Sequence, residues 1–141
     1  MKTFDYSLVK DSQYFKDGRM DAHSDHTYYR DGEEAQEKAT SFRYDLNGIW
    51  KFHYARNYGS AISGFEKEEY CCRDWDDIRV PAHIQMEGYD APQYANVQYP
   101  WEGHEDIHPG EIPEHFNPVA SYVKYFEVPE EMQGKRLFIS F

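Results

Sequence analysis

The sequence is short of several features that mark particular classes of protein. It has two cysteines in 141 residues, and they are the neighbours Cys71 and Cys72. Adjacent cysteines rarely pair with each other, so neither a disulfide framework nor a cysteine metal cluster is predicted. No apolar run approaches the length of a membrane span, and the first ten residues lack the basic-then-apolar pattern of a secretion signal. These absences favour a cytoplasmic protein.

Positive charge is also scarce. The chain has 15 lysines and arginines against 26 aspartates and glutamates, a formal net charge of −11. Such a chain is repelled by phosphate backbones and anionic lipids, so we predict neither a nucleic-acid nor a membrane partner. Aromatic residues, by contrast, make up 18% of the sequence. That share favours β-structure and surfaces that contact sugars or proteins.

Regular hydrophobic patterning begins only after the first third of the chain. Residues 1–44 are polar and weakly patterned, which predicts an extended arm with a short helix at 33–38. Residues 45–141 alternate in a way that predicts an all-β domain. Four strands are predicted in it, at residues 46–54, 78–80, 121–128 and 135–141. In the first of them, Trp50, Phe52 and Tyr54 share one face.

The last predicted strand ends on Phe141, which the alternation places toward a core. Four strands are fewer than the seven or more with which a β-sandwich usually closes its core. A final strand without a neighbour also presents unpaired N–H and C=O groups. We therefore expect this sequence to be the truncated first part of a larger sandwich.

A long segment between predicted strands, residues 82–118, carries five of the seven prolines. Within it, GYDAPQYANVQYPWEG at 88–103 is rich in aromatic rings but has neither strand alternation nor helical spacing. Rings and prolines can hold an irregular path by packing and by fixed backbone angles. A loop of this length inside a domain is usually functional.

The same motifs carry a resemblance to a known family. They are, in chain order, RMDAH at 19–23, LNGIWKF at 46–52, GYDAPQYANVQYPWEG at 88–103 and NPV at 117–119. They resemble the arm and N-terminal sugar-binding domain of the family 2 glycoside hydrolases that are β-galactosidases. One departure is Ile84, where the family commonly has tryptophan. The resemblance implies a jelly-roll β-sandwich within a retaining glycosidase that hydrolyses terminal β-D-galactose in β-galactosides.

The resemblance also assigns candidate site residues. Asn96 matches the asparagine that hydrogen-bonds galactose, a role suited to an uncharged amide that both donates and accepts. Val97 is a second candidate, at the edge of the substrate. The alternatives are an asparagine that bonds its own loop and a valine that only packs. The family's catalytic carboxylates lie in a barrel beyond position 141, so no catalytic residue is expected in this chain, which alone should be inactive.

Metals and partners follow from the resemblance in the same way. It implies Mg²⁺ and Na⁺ for the complete enzyme, but the match at 10–12 is too loose to carry a ligand over, so no metal ligand is predicted here. His104 and His108 are four residues apart, yet Gly103 and Pro109 argue against a zinc-binding helix. The implied partners are a β-galactoside substrate, the remainder of the enzyme with its catalytic barrel, and further copies of the subunit.

Two other readings of the sequence stay open at this point. One is a stand-alone, non-catalytic carbohydrate-binding or interaction module. The other is a fragment that works only when docked onto a partner lacking these residues. The aromatic side chains of the long segment fit either sugar stacking or packing against the protein, and packing is their commoner fate.

Overall fold

A computed structural model describes residues 5–92, 96, 99 and 101–141. Its strands are β1 (Gly48–Ala55), β2 (Asp76–Val80) and β3 (Val119–Val123). They form one antiparallel sheet in the order β2–β1–β3. The structure is an open, all-β sheet consistent with part of a sandwich, and the predicted fold class is confirmed.

The predicted core face of β1 is confirmed. Phe52 is fully buried, and its cross-strand partner on β3 is Tyr122, whose ring centroid lies 4.9 Å away. Trp50 pairs with the buried Ile78 of β2. Directly paired residues project from the same face of a sheet, so these side chains form one apolar layer.

The opposite face of the sheet is covered by the segment before β2. Trp75, which is buried, packs its ring against that of His53 on β1, with 5.5 Å between centroids. Lys51 Nζ donates to the Trp75 carbonyl at 3.3 Å and pairs with Asp77 at 2.9 Å. The central strand is therefore held on both faces.

The ends of the predicted strands show which features follow from the local sequence and which depend on a neighbouring strand. β2 stops at Val80, immediately before Pro81, as the sequence predicts, because proline has no N–H for the ladder. The strand predicted at 121–128 is present as β3 but ends at Val123. The strand predicted at 135–141 is wrong. A strand needs a hydrogen-bonded neighbour, and within the described residues none lies beside this segment; Phe141 is fully exposed.

The first part of the chain has little regular structure. The predicted short helix is confirmed as α1 (Gly32–Glu37), which begins where the Asp31 carboxylate accepts the N–H groups of Glu33 and Glu34 at 3.1 and 3.0 Å. In the described residues, 3₁₀ helices lie at Tyr6–Lys10, Tyr58–Ser60 and Glu130–Met132. No helix in the described part of the chain is long and apolar enough to span a membrane. The domain boundary at residue 44 stays a prediction.

Candidate functional site

The long segment from 82 to 118 connects β2 to β3 and has no helix or strand among its described residues, as predicted. It begins with a turn in which the N–H groups of Glu87 and Tyr89 donate to the Ile84 carbonyl at 3.1 and 3.2 Å. Gly88 has a φ of +90°, a conformation that side chains disfavour. This turn brings Tyr89 back over the sheet.

Tyr89 anchors the first end of the loop to the central strand. Its ring lies 4.5 Å from that of Phe52 and 6.4 Å from that of Tyr54, centroid to centroid. Burial, together with a hydrogen bond to Asp76, raises the pKa of Tyr89. Burial and the nearby negative charge of Asp90 raise the pKa of Tyr54. The ring contacts show that Tyr89 takes the packing role that the sequence favours for the loop aromatics.

Glu105 closes the second half of the loop. Its carboxylate accepts three consecutive backbone N–H groups, from Glu114 at 2.6 Å, His115 at 2.9 Å and Phe116 at 3.1 Å. These bonds, with that from Glu114 foremost, lower the pKa of Glu105 below its ordinary value of 4.5. One charged side chain thus ties together two stretches that are nine to eleven residues apart.

The closed segment is fixed in turn to the end of β1. The Phe116 ring stacks on His104 with 4.1 Å between centroids, and the Arg56 guanidinium lies 5.8 Å from the Phe116 ring centroid. The Asn117 N–H donates to the Arg56 carbonyl at 3.1 Å. The loop is therefore anchored to the central strand at both of its ends.

The arm joins this second anchor. Tyr6 stacks on Tyr58 with 3.9 Å between ring centroids and an angle of 4° between the rings. Its hydroxyl accepts a hydrogen bond from the Asn117 side chain at 2.8 Å. Sequence reasoning missed this contact, because Tyr6 and Asn117 are 111 residues apart and nothing in the local pattern links them.

Between the anchors lies the part of the loop that carries the candidate sugar ligand. Asn96 and Tyr99 are exposed, and the Tyr99 ring stacks on that of Trp101 at 5.9 Å with an angle of 8°. Asn96 also interacts within the structure. Val97 and Tyr94 lie outside the described residues. The sugar-binding roles of Asn96 and Val97 stay predictions.

The Glu105 contacts predict a pH dependence. Because the pKa of Glu105 is lowered in the folded protein, its stabilising effect is present above pH 4.5 and is lost as the pH falls through the lowered pKa. We expect the amides of Glu114, His115 and Phe116 to be protected from hydrogen exchange at neutral pH and to lose that protection in acid. Exchange rates normalised to the intrinsic rate at each pH measure this. Protection that is equally pH-dependent in Glu105→Gln would contradict it.

With the geometry established, comparison with known proteins decides the family. Residues 43–141 match the family described as "Glycosyl hydrolases family 2, sugar binding domain". The chain belongs to glycosyl hydrolase family 2. The anchored loop of residues 82–118 thus lies wholly within the segment matched by the family's sugar-binding domain.

Curated relatives of this family 2 chain are named β-galactosidases. The chain is 51% identical over 143 residues to the β-galactosidase of Halalkalibacterium halodurans, matching all of this chain and 14% of that protein. It is 41% identical to the β-galactosidase of Streptococcus thermophilus, covering 96% of this chain and 13% of the relative. It is 36% identical to the β-galactosidase large subunit of Latilactobacillus sakei, covering 90% of this chain and 22% of the relative. The chain therefore spans between 13% and 22% of these relatives' length.

The described part of the family 2 chain does not assemble a metal-binding set. No three His, Cys, Asp or Glu side chains within it are placed to share an ion. His108 Nδ1 lies 3.3 Å from a Glu111 carboxylate oxygen, and Asp11 accepts the Gln13 N–H at 2.9 Å. These side chains therefore have local partners, and the absence of a metal ligand from this chain stays a prediction.

Proposed function

We propose that this chain is the N-terminal segment of a β-galactosidase-type retaining glycoside hydrolase, which releases terminal β-D-galactose from β-galactosides. The segment contributes scaffold, contacts between subunits and one sugar-binding loop. The observation that carries the proposal is the loop itself, anchored to β1 through Tyr89 and Glu105 while Asn96 is exposed between the anchors. The names of the curated relatives support the same activity.

The chain's own residues bind and orient the sugar in this proposal. The Asn96 amide donates to one sugar hydroxyl and accepts from another, and Val97 lies at the edge of the ring. An uncharged amide adds no charge that would shift the pKa values of nearby catalytic carboxylates. Retaining hydrolysis uses two carboxylates about 5–5.5 Å apart, a nucleophile and an acid/base, which we assign to a barrel outside this chain. The chain alone is then inactive.

Mg²⁺ and Na⁺ are implied for the complete enzyme by the family resemblance alone. Within the described residues of this chain, no three acidic, histidine or cysteine side chains converge. We assign the ions to other parts of the enzyme and derive no step through them.

The partners follow from the same proposal. We infer a β-galactoside substrate, the remainder of the enzyme with its barrel, and further copies of the subunit in a homo-oligomer. The strongly negative charge supports the inference that neither nucleic acid nor a membrane is a partner. We place the enzyme in the cytoplasm.

The activity is tested on the complete protein with o-nitrophenyl β-D-galactopyranoside. We expect hydrolysis, with the β-anomer of galactose as the first product in a proton NMR time course, and little turnover of the matching β-glucuronide. The isolated 141 residues should give no turnover. Preferential cleavage of the glucuronide would contradict the proposed specificity. Galactose binding without hydrolysis by the complete protein would favour a stand-alone binding module.

A further inference from the structure

Glu105 and Glu111, two acidic side chains of the long loop, differ in the distance along the chain that their hydrogen bonds span. The Glu105 carboxylate gathers three successive N–H groups from residues nine to eleven positions further on. Glu111, by comparison, accepts the N–H of His108, three residues away, and closes only a local turn. A carboxylate that accepts several backbone N–H groups forms charge-assisted bonds, which are stronger than neutral ones.

Closely spaced backbone hydrogen bonds connect Glu105 to the exposed part of the loop. The Glu102 N–H donates to the Tyr99 carbonyl at 3.0 Å, and the N–H groups of His104 and Glu105 donate to the Trp101 carbonyl at 3.0 and 3.3 Å. These bonds link Tyr99, Trp101, Glu102, His104 and Glu105 in overlapping turns. A displacement of Glu105 is passed along these turns to Tyr99, which is three residues from Asn96.

A second set of bonds connects Glu105 to the sheet. The segment whose N–H groups it accepts is held to the residues after β1, through the Asn117 N–H on the Arg56 carbonyl at 3.1 Å. The Asn57 side chain adds a bond to the His115 carbonyl at 3.4 Å. Glu105 is thus one link, beside the stack of His104 on Phe116, between the residues after β1 and the turns that begin at Tyr99.

We propose that Glu105 is a positioning residue for sugar binding. It holds Tyr99 and residues 101–105 at a fixed place relative to β1, and this orients the Asn96 amide toward the sugar hydroxyls. Glu105 itself does not touch the substrate. The proposal rests on the proposed function, since it assigns Glu105 an effect only through the sugar-binding role of Asn96.

The test uses the complete enzyme and o-nitrophenyl β-D-galactopyranoside. We expect Glu105→Ala to raise KM about tenfold, because a misplaced Asn96 amide binds the sugar less well. Glu105→Gln should raise it less, because the amide oxygen keeps part of the acceptor capacity. Glu111→Ala is the matched control and should leave KM unchanged, since it removes a carboxylate that bonds only locally.

A double variant separates positioning from stability. If Glu105 acts through Asn96, then Asn96→Ala combined with Glu105→Ala has a KM no higher than Asn96→Ala alone. If Glu105→Ala only reduced the amount of folded enzyme, the apparent kcat would fall and KM would stay unchanged, and that result overturns the proposal. Effects of the two substitutions on KM that are additive in the double variant overturn it as well. If Glu105→Ala does not fold, Glu105→Gln is measured alone and together with Asn96→Ala, and the KM values are compared in the same way.

The outcomes for the two proposals differ. If Asn96→Ala raises KM while Glu105→Ala and Glu105→Gln do not, the positioning role is wrong and the proposed function stands. If Asn96→Ala leaves KM and kcat/KM unchanged, the sugar-binding role of the loop and the positioning role fall together. If the complete protein does not hydrolyse the galactoside, the proposed function itself is wrong.

Discussion

Phe52→Ala is expected to destabilise the folded domain by about 3–5 kcal/mol, the usual effect of removing a phenylalanine from a packed core. Phe52 has no exposed surface, and its ring contacts those of Tyr89 and Tyr122. The substitution therefore leaves a cavity at the centre of the sheet and also removes the surface on which the first loop anchor rests. We expect stability and galactoside hydrolysis to be lost together.

The measurement is urea denaturation of the complete protein, followed at β1 by hydrogen exchange so that other domains do not obscure the transition. Ile49→Ala is the control. It removes an aliphatic side chain from the same strand, but at a position that is 57% exposed, so we expect a change within about 0.5 kcal/mol. Equal shifts of the midpoint in the two variants would show that Phe52 does not form the core.

Asn96→Ala is expected to weaken transition-state binding by about 1–3 kcal/mol, the range for leaving a buried hydrogen-bonding partner unsatisfied. That range corresponds to a fall in kcat/KM of about fivefold to 150-fold. The physical reason is that the bound sugar hydroxyls lose an amide that both donates and accepts, while water is excluded by the substrate itself. The measurement is steady-state hydrolysis of o-nitrophenyl β-D-galactopyranoside by the complete enzyme.

Gln133→Ala is the matched control for Asn96→Ala. It also removes an exposed side-chain amide, but from the turn that follows β3, outside the loop. We expect its kinetics to equal those of the unaltered enzyme. If Asn96→Ala also shows unaltered kinetics, Asn96 only bonds its own loop and is not a sugar ligand.

Local chemistry made the two central features of the sheet predictable. Alternation alone identified β1 and the face that buries Phe52, because side chains project to opposite faces at every second residue. The end of β2 was predictable because Pro81 cannot donate a ladder hydrogen bond. The short helix was predictable to within one residue, and Asp31 caps its start.

What depends on distant partners could not be predicted in the same way. Residues 135–141 alternate as well as β1 does, but alternation cannot supply the neighbouring strand that they lack in the described structure. The Glu105 anchor and the Tyr6 contact join residues that are far apart in the chain, with no motif to link them. Asn96 became a candidate only through resemblance to a family, because an asparagine in a loop has many ordinary uses.

The stacking of Tyr6 on Tyr58 has a consequence for how the length of the arm can change. It fixes both ends of the stretch 7–57. Residues added to or deleted from the irregular part of that stretch therefore change only the length of a loop whose ends stay in place. Doubling the length of such a loop costs about 0.6 kcal/mol in loop-closure entropy. Insertions between α1 and β1 should therefore be tolerated as long as the Tyr6–Tyr58 stack is kept.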